Sequence, residues 1–293
     1  MIRKIITLMC SLTLLTGVVG CTKQDKEEES GKIKIMVSIN PLKEFAQAVG
    51  KELVEVDTLV PEGMEPHDFE PKSKDLVQLN KSDIFVYNGL GMEEWLDKVL
   101  STIQDKDRIK IVDSSKGAST ITTEGKIDPH LWLSLKQAKN QAANIKDALI
   151  KIDEKNKEQY EGNFNEFASR LDTLYYENEQ RFNKLKNRDF VTGHEAFGYL
   201  CRDFNLTQKS VEDVFAEGEV TPQKFKDLVQ FSKENKIETI FMEEFASPKV
   251  SETLAKEVGA KVEKIYTIES KEDGRDYVES MKYNLDVVYN SLK

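Results

Sequence analysis

One stretch constrains the possible architectures more than any other. Residues 154–186 contain no proline and one glycine. Within them Tyr160, Phe164, Phe167, Leu171 and Leu174 recur at helical spacing, and Phe182 and Leu185 extend the stripe. As one helix the segment would reach ~50 Å at ~1.5 Å per residue, more than the width of a small domain. A coiled coil is the alternative, but roughly two or three heptads are few for one. The spacing therefore predicts a helix that bridges two bodies. A second helical face precedes it, carried by Ala138, Ala142, Ile145, Leu149 and Ile152.

On both sides of this middle section, strand and helix patterns alternate. Before it, strands are expected at Ile33–Ile39, Val54–Val60, Ile84–Tyr87 and Ile109–Val112. Helices fall between them, from Asn40-Pro41 to Gly50, over Ser73–Asn80 and over Glu93–Ile103. After it come strands at Phe190–Thr192, Gln208–Val211, Thr239–Met242 and Val262–Tyr266. Helices are expected from Glu195 towards Arg202, from Thr221-Pro222 to Asn235, from Ser247-Pro248 to Gly259 and over Tyr277–Leu292. Such alternation predicts an α/β protein with a four-stranded, helix-flanked parallel sheet in each of two lobes. The expected divisions are an N-terminal lobe over 33–153, the bridging helix over 154–186 and a C-terminal lobe over 187–293. No sequence repeat relates the lobes.

The first twenty residues stand apart. Arg3 and Lys4 precede an apolar run from Ile5 to Val19, broken only by Thr, Ser, Cys10 and Gly17. A basic start, an apolar run and small exit residues predict a signal peptide over 1–20. The run is short for a transmembrane anchor. Its ending, Val18-Val19-Gly20-Cys21, resembles the bacterial lipoprotein signal, in which the cysteine is lipidated. Residues 21–32 then read as a lipidated, flexible tether, since Thr22 to Lys32 offers no apolar side chain to bury. The body is expected on the extracytoplasmic face of the cell membrane, held there through Cys21. A net charge of −10 argues against nucleic acid as partner. With Cys10 in the signal and Cys21 lipidated, Cys201 has no disulfide mate and reads as a small buried hydrophobe.

The chain contains three histidines. They stand in Met64-Glu65-Pro66-His67-Asp68-Phe69-Glu70-Pro71, in Asp128-Pro129-His130-Leu131-Trp132-Leu133 and in Thr192-Gly193-His194-Glu195-Ala196-Phe197. His67 and His130 follow prolines and have carboxylates within two residues. All three are expected beyond strand ends, where open α/β sheets bind ligands. Imidazoles suit zinc, and three nearly fill a tetrahedral shell. No two share a helix at i, i+4, so the pattern is not that of a zinc protease. Spacing alone leaves metal binding one reading among others.

These stretches, with His194-Glu195-Ala196-Phe197-Gly198-Tyr199, Phe241-Met242-Glu243 and Ser247-Pro248-Lys249, resemble the zinc and manganese solute-binding lipoproteins of bacterial ABC transporters, the ZnuA-like or adhesin-type family. The resemblance covers about residues 33–293. It implies two α/β lobes joined by a rigid backbone helix, with the metal in the cleft between them. The implied function is capture of Zn2+ and its delivery to a membrane permease, by a monomer without catalytic residues. His67 and His130 would be ligands from the first lobe and His194 from the second. A carboxylate from the loop after the last strand would complete the shell. That loop reads Tyr266-Thr267-Ile268-Glu269-Ser270, which makes Glu269 the candidate, with Glu243 and Glu244 in reserve. In manganese-type members the His194 position is more often Glu, so His here favours Zn2+ over Mn2+. The His-rich loop of many zinc members has no counterpart, because Ser114–Lys126 contains no His. The competing readings are a manganese or iron carrier, a zinc hydrolase using Glu195 as base, and a surface adhesin. Histidine ligation further predicts affinity that falls as pH drops past ~6.5.

Overall fold

The computed structural model describes residues 31–105, 107–123, 125–214, 221–245 and 248–293. The expected signal peptide, Cys21 and nearly all of the tether lie outside the described residues, as does the expected cap Ser247. Among the described residues, no helix is long and apolar enough to cross a membrane.

The first half runs β1 (Ile33–Val37), α1 (Asn40–Gly50), β2 (Val54–Thr58), α2 (Ser73–Leu79), β3 (Ile84–Tyr87), α3 (Leu96–Thr102) and β4 (Lys110–Asp113). A short antiparallel hairpin follows, β5 (Thr122–Thr123) with β6 (Lys126–Ile127), and then α4 (Leu135–Ile152). α5 (Lys157–Phe182) is the long helix. The second half comprises β7 (Asp189–Thr192), α6 (Gly198–Phe204), β8 (Thr207–Ser210), α7 (Pro222–Glu234), β9 (Thr239–Met242), α8 (Pro248–Val258), β10 (Lys261–Lys264) and α9 (Tyr277–Ser291). Strands order as β2-β1-β3-β4 in one sheet and β10-β9-β7-β8 in the other, all parallel. Read in chain order these are one topology used twice, as the repeated βα pattern predicts.

Besides the unexpected β5–β6 hairpin, the differences from the sequence expectation lie at element ends, and three of these have a visible local setting. α3 starts at Leu96 rather than Glu93, because the Glu93 carboxylate turns back to accept the amides of Asn88 (2.7 Å) and Gly89 (3.0 Å). α6 starts at Gly198 rather than Glu195. The amide of Phe197 is already taken by Gln208 Oε1 at 3.0 Å. α5 is 26 residues long, about 39 Å at 1.5 Å per residue, and a 3-10 turn over Glu154–Asn156 precedes it. Asp153 makes that turn by accepting from Asn156 Nδ2 (2.7 Å) and the Tyr160 hydroxyl (2.8 Å).

One apolar core runs through the first sheet, α4, α5 and the inner parts of the second half. Phe45 of α1, Phe167 of α5 and Tyr277 of α9 meet in it, with Phe45 4.8 Å from Tyr277 ring to ring. A separate, smaller core of Val191, Val211, Leu228, Ile240, Leu254 and Ala255 lies within the second half. Cys201 is buried and free, and burial pushes its thiol well up.

Candidate metal centre

The four expected ligands leave the sheets at the carboxyl ends of strands. His67 lies in the loop after β2, and His130 in the connection that follows β4 through the hairpin. His194 comes directly after β7, and Glu269 in the loop after β10. Ile268, next to Glu269, adopts φ +63°, a left-handed conformation that β-branched residues avoid. Holding it costs of order 1–3 kcal/mol, which the surrounding contacts must offset. The Glu269 loop is tied to the first half: Trp132 Nε1 donates to the Thr267 carbonyl (2.7 Å), and the Tyr277 hydroxyl donates to the Trp132 carbonyl.

The three imidazoles converge, with one ligand atom from each within 4.8 Å of the others. His67 Nε2 and His130 Nε2 stand 3.4 Å apart. Two nitrogens each ~2.0–2.1 Å from a tetrahedral zinc ion would be about 3.3 Å apart, so the pair is already at ligating separation. Glu269 Oε1 lies 3.9 Å from His130 Nε2, roughly 0.5 Å beyond that spacing. This oxygen is buried and has no hydrogen-bond partner, whereas Oε2 accepts from the Thr267 hydroxyl at 2.8 Å. A buried carboxylate oxygen left unpaired beside three imidazoles is what a cation site requires.

Burial sets the protonation. It lowers His130 and His194 to about 3 and His67 to about 2, with neighbouring imidazoles adding to the effect on His67 and His194. The rings are therefore neutral at neutral pH and present lone pairs. Asp128 accepts from His130 Nδ1 and from the His130 amide, both at 2.8 Å, which leaves Nε2 as the lone-pair nitrogen. His194 spends Nε2 on the Val214 carbonyl (3.2 Å), so its Nδ1 carries the lone pair. Burial pushes Glu269 well above the usual carboxylate range, and the charge of Glu65 adds to this.

Neither reserve acid joins a ligand group among the described residues. Glu243 is buried and both its oxygens are engaged. It accepts the amides of Gly193 (3.0 Å) and His194 (3.1 Å), so it shapes the loop that carries His194. Glu244 is exposed.

Two acids that the sequence reading did not single out take part. Asp128 orients His130, and Glu65 forms a second group with His67 and Glu269 in which ligand atoms again lie within 4.8 Å. Their signal was present as acid-Pro-His, in Glu65-Pro66-His67 and Asp128-Pro129-His130. Gly198 explains another motif position: a Cβ there would come 2.6 Å from Asp128 Oδ2. The Tyr199 hydroxyl donates to the Asp128 carbonyl at 2.6 Å from the same helix. Asn88 Nδ2 reaches the Pro129 carbonyl (2.9 Å), and Gln141 Nε2 holds the Asn88 amide oxygen (2.9 Å). Both tryptophans flank first-half segments that carry candidate ligands. Trp132 lies 5.3 Å from the His130 ring, and Trp95 stacks edge-on at 5.7 Å against Phe69, two residues past His67.

The chain matches relatives over nearly its whole length. A Treponema pallidum (strain Nichols) protein described as metal-binding is 36% identical, over 98% of this chain and 96% of that one. The high-affinity zinc uptake system protein ZnuA of Bacillus subtilis (strain 168) is 33% identical, over 97% and 95%. A crystal structure of ZnuA superposes with a TM-score of 0.81 at 34% identity, covering 89% of this chain and all of that one. The family model described as "ZnuA: Zinc-uptake complex component A periplasmic" matches residues 35–291. With its paired 2-1-3-4 sheets, its long helix and three histidines gathered at the strand ends, the chain belongs to the ZnuA family.

Proposed function

We propose that the protein captures a zinc ion outside the cytoplasm and delivers it to the membrane permease of an ABC transporter. In this reading His67, His130, His194 and Glu269 are the ligands. The observation that carries it is the meeting of three neutral, largely buried imidazoles with an unpaired carboxylate oxygen. Imidazole donors suit zinc, while manganese favours an oxygen shell. Four protein donors close a tetrahedral site and leave no position for a hydrolytic substrate, which supports carriage over catalysis. The Val18-Val19-Gly20-Cys21 ending supports lipid anchoring through Cys21. A monomer suffices, because one chain supplies all four donors.

Competition dialysis of apo protein against equal zinc and manganese, followed by calorimetry, tests the reading. One zinc per chain is expected, and His130→Ala should lower affinity by more than about 100-fold. Stoichiometric manganese retained against equal zinc would overturn it. Cys21→Ala should move the protein from the membrane to the soluble fraction with zinc affinity unchanged.

A further inference from the structure

We infer that Glu65 is a transient zinc ligand: the ion enters and leaves through an outer donor set, Glu65–His67–Glu269, that shares His67 with the inner set of three imidazoles. This rests on the zinc-carrier reading above and adds the route by which that site fills.

Three observations carry it. Ligand atoms of Glu65, His67 and Glu269 lie within 4.8 Å of one another, a second group beside the histidine cluster. The donors also form a gradient of exposure. Glu65 and His67 are half-buried, while Glu269 is 3% exposed, His194 4% and His130 0%. An ion arriving from solvent therefore meets Glu65 and His67 first. Finally, two carboxylates face each other here, and among the described residues no lysine or arginine pairs with either one. Glu269 Oε1 is buried without a hydrogen-bond partner and lies 3.9 Å from His130 Nε2, so Glu269 borders both sets. A cation between the two acids removes their repulsion.

The chemistry gives the outer set a distinct task. A hydrated zinc ion must exchange its waters for protein donors stepwise. Carboxylate oxygens accept a partly hydrated ion, and the imidazoles then complete its exchange for nitrogen. Glu65 Oε1 rests on the His67 amide at 3.2 Å, a contact it can leave without exposing a buried charge. A small cleft that Glu65, Glu212, Phe245 and Glu269 help to line reaches His194. A donor used only in passage stabilises the exchange step and not the end state. Its loss slows filling and emptying alike.

The test is stopped-flow mixing of apo protein with Zn2+, and of zinc-loaded protein with excess chromophoric chelator, for wild type, Glu65→Gln and Glu65→Asp. For Glu65→Gln both rate constants should fall about tenfold while the dissociation constant stays within about threefold. Glu65→Asp, which keeps the charge, should recover most of both rates. Unchanged rates in Glu65→Gln would overturn the inference. So would a loss of affinity above about 100-fold carried by faster release, since that marks a permanent ligand. Failure of wild type to bind zinc would instead overturn the carrier reading itself.

Discussion

Glu65-Pro66-His67 and Asp128-Pro129-His130 are the same tripeptide in chemical terms, yet the fold treats them differently. Asp128 grips both the ring and the amide of His130. It is in turn held by Tyr199 of α6, and the Pro129 carbonyl by Asn88. Among the described residues Glu65 reaches the amide of His67 alone, and its segment stays half-exposed. One acid clamps both ring and amide of its histidine, the other the amide. Order at this site thus comes from what packs behind the acid, not from the acid-Pro-His pattern.

The sharpest way to break this comparison is to remove each acid in turn. Asp128→Ala should weaken zinc binding about 10–100-fold, because His130 loses the partner that fixes its tautomer and orientation. Glu65→Ala should change the equilibrium constant by no more than about threefold. Equal losses in calorimetry would make the two tripeptides equivalent and sink the distinction.

A smaller effect should come from behind Asp128. Gly198→Ala puts a Cβ 2.6 Å from Asp128 Oδ2 and 2.7 Å from Ile121 Cδ1, so the clamp must shift. Affinity should drop about tenfold. In a double-mutant cycle the same change should add little on an Asp128→Ala background, since the two act through one contact. Additive losses would show that Gly198 acts elsewhere.

The smallest expected effect concerns protons. The free-imidazole value of ~6.5 predicts that histidines make zinc binding acid-sensitive. The structure gives that role to the carboxylates. The imidazoles, lowered to about 2–3 by burial, stay neutral from pH 7 to 5. Burial raises Asp128 and Glu65 to about 7 and Glu269 well above its ordinary value. Binding zinc at Glu269 must expel its carboxyl proton, so affinity still falls with acid, but through that acid. Calorimetry at pH 6 in buffers of differing ionisation enthalpy should show proton release, reduced by about one in Glu269→Gln. An unchanged count would return the linkage to the histidines.

Much of this was legible in the chain. Strand and helix order followed from apolar periodicity, and Thr221 caps α7 as its position before Pro222 suggests, accepting from Lys224 at 3.1 Å. The cluster of His67, His130 and His194 was legible because each histidine follows a strand in a distinctive setting. Illegible were features set by long-range contacts. Glu243 reads as a spare ligand until β7 and β9 pair and bring the amides of Gly193 and His194 to it. The late start of α3 depends on Glu93 choosing backbone amides over a helix position, and at the start of α6 Gln208 of β8 reaches across to the Phe197 amide. The left-handed turn at Ile268 has no sequence signal, because a β-branched residue is the last one expected there.

The placement of the two tryptophans has a practical consequence. The sequence has only Trp95 and Trp132, and each touches a first-half segment with a candidate ligand: Phe69 beyond His67 in one case, the His130 ring in the other. Ultraviolet emission from this protein is therefore a local optical probe of the candidate site. Trp132 touches the His130 ring and donates to the Thr267 carbonyl beside Glu269, so it reports on both halves at once, whereas Trp95 reports on the His67 segment.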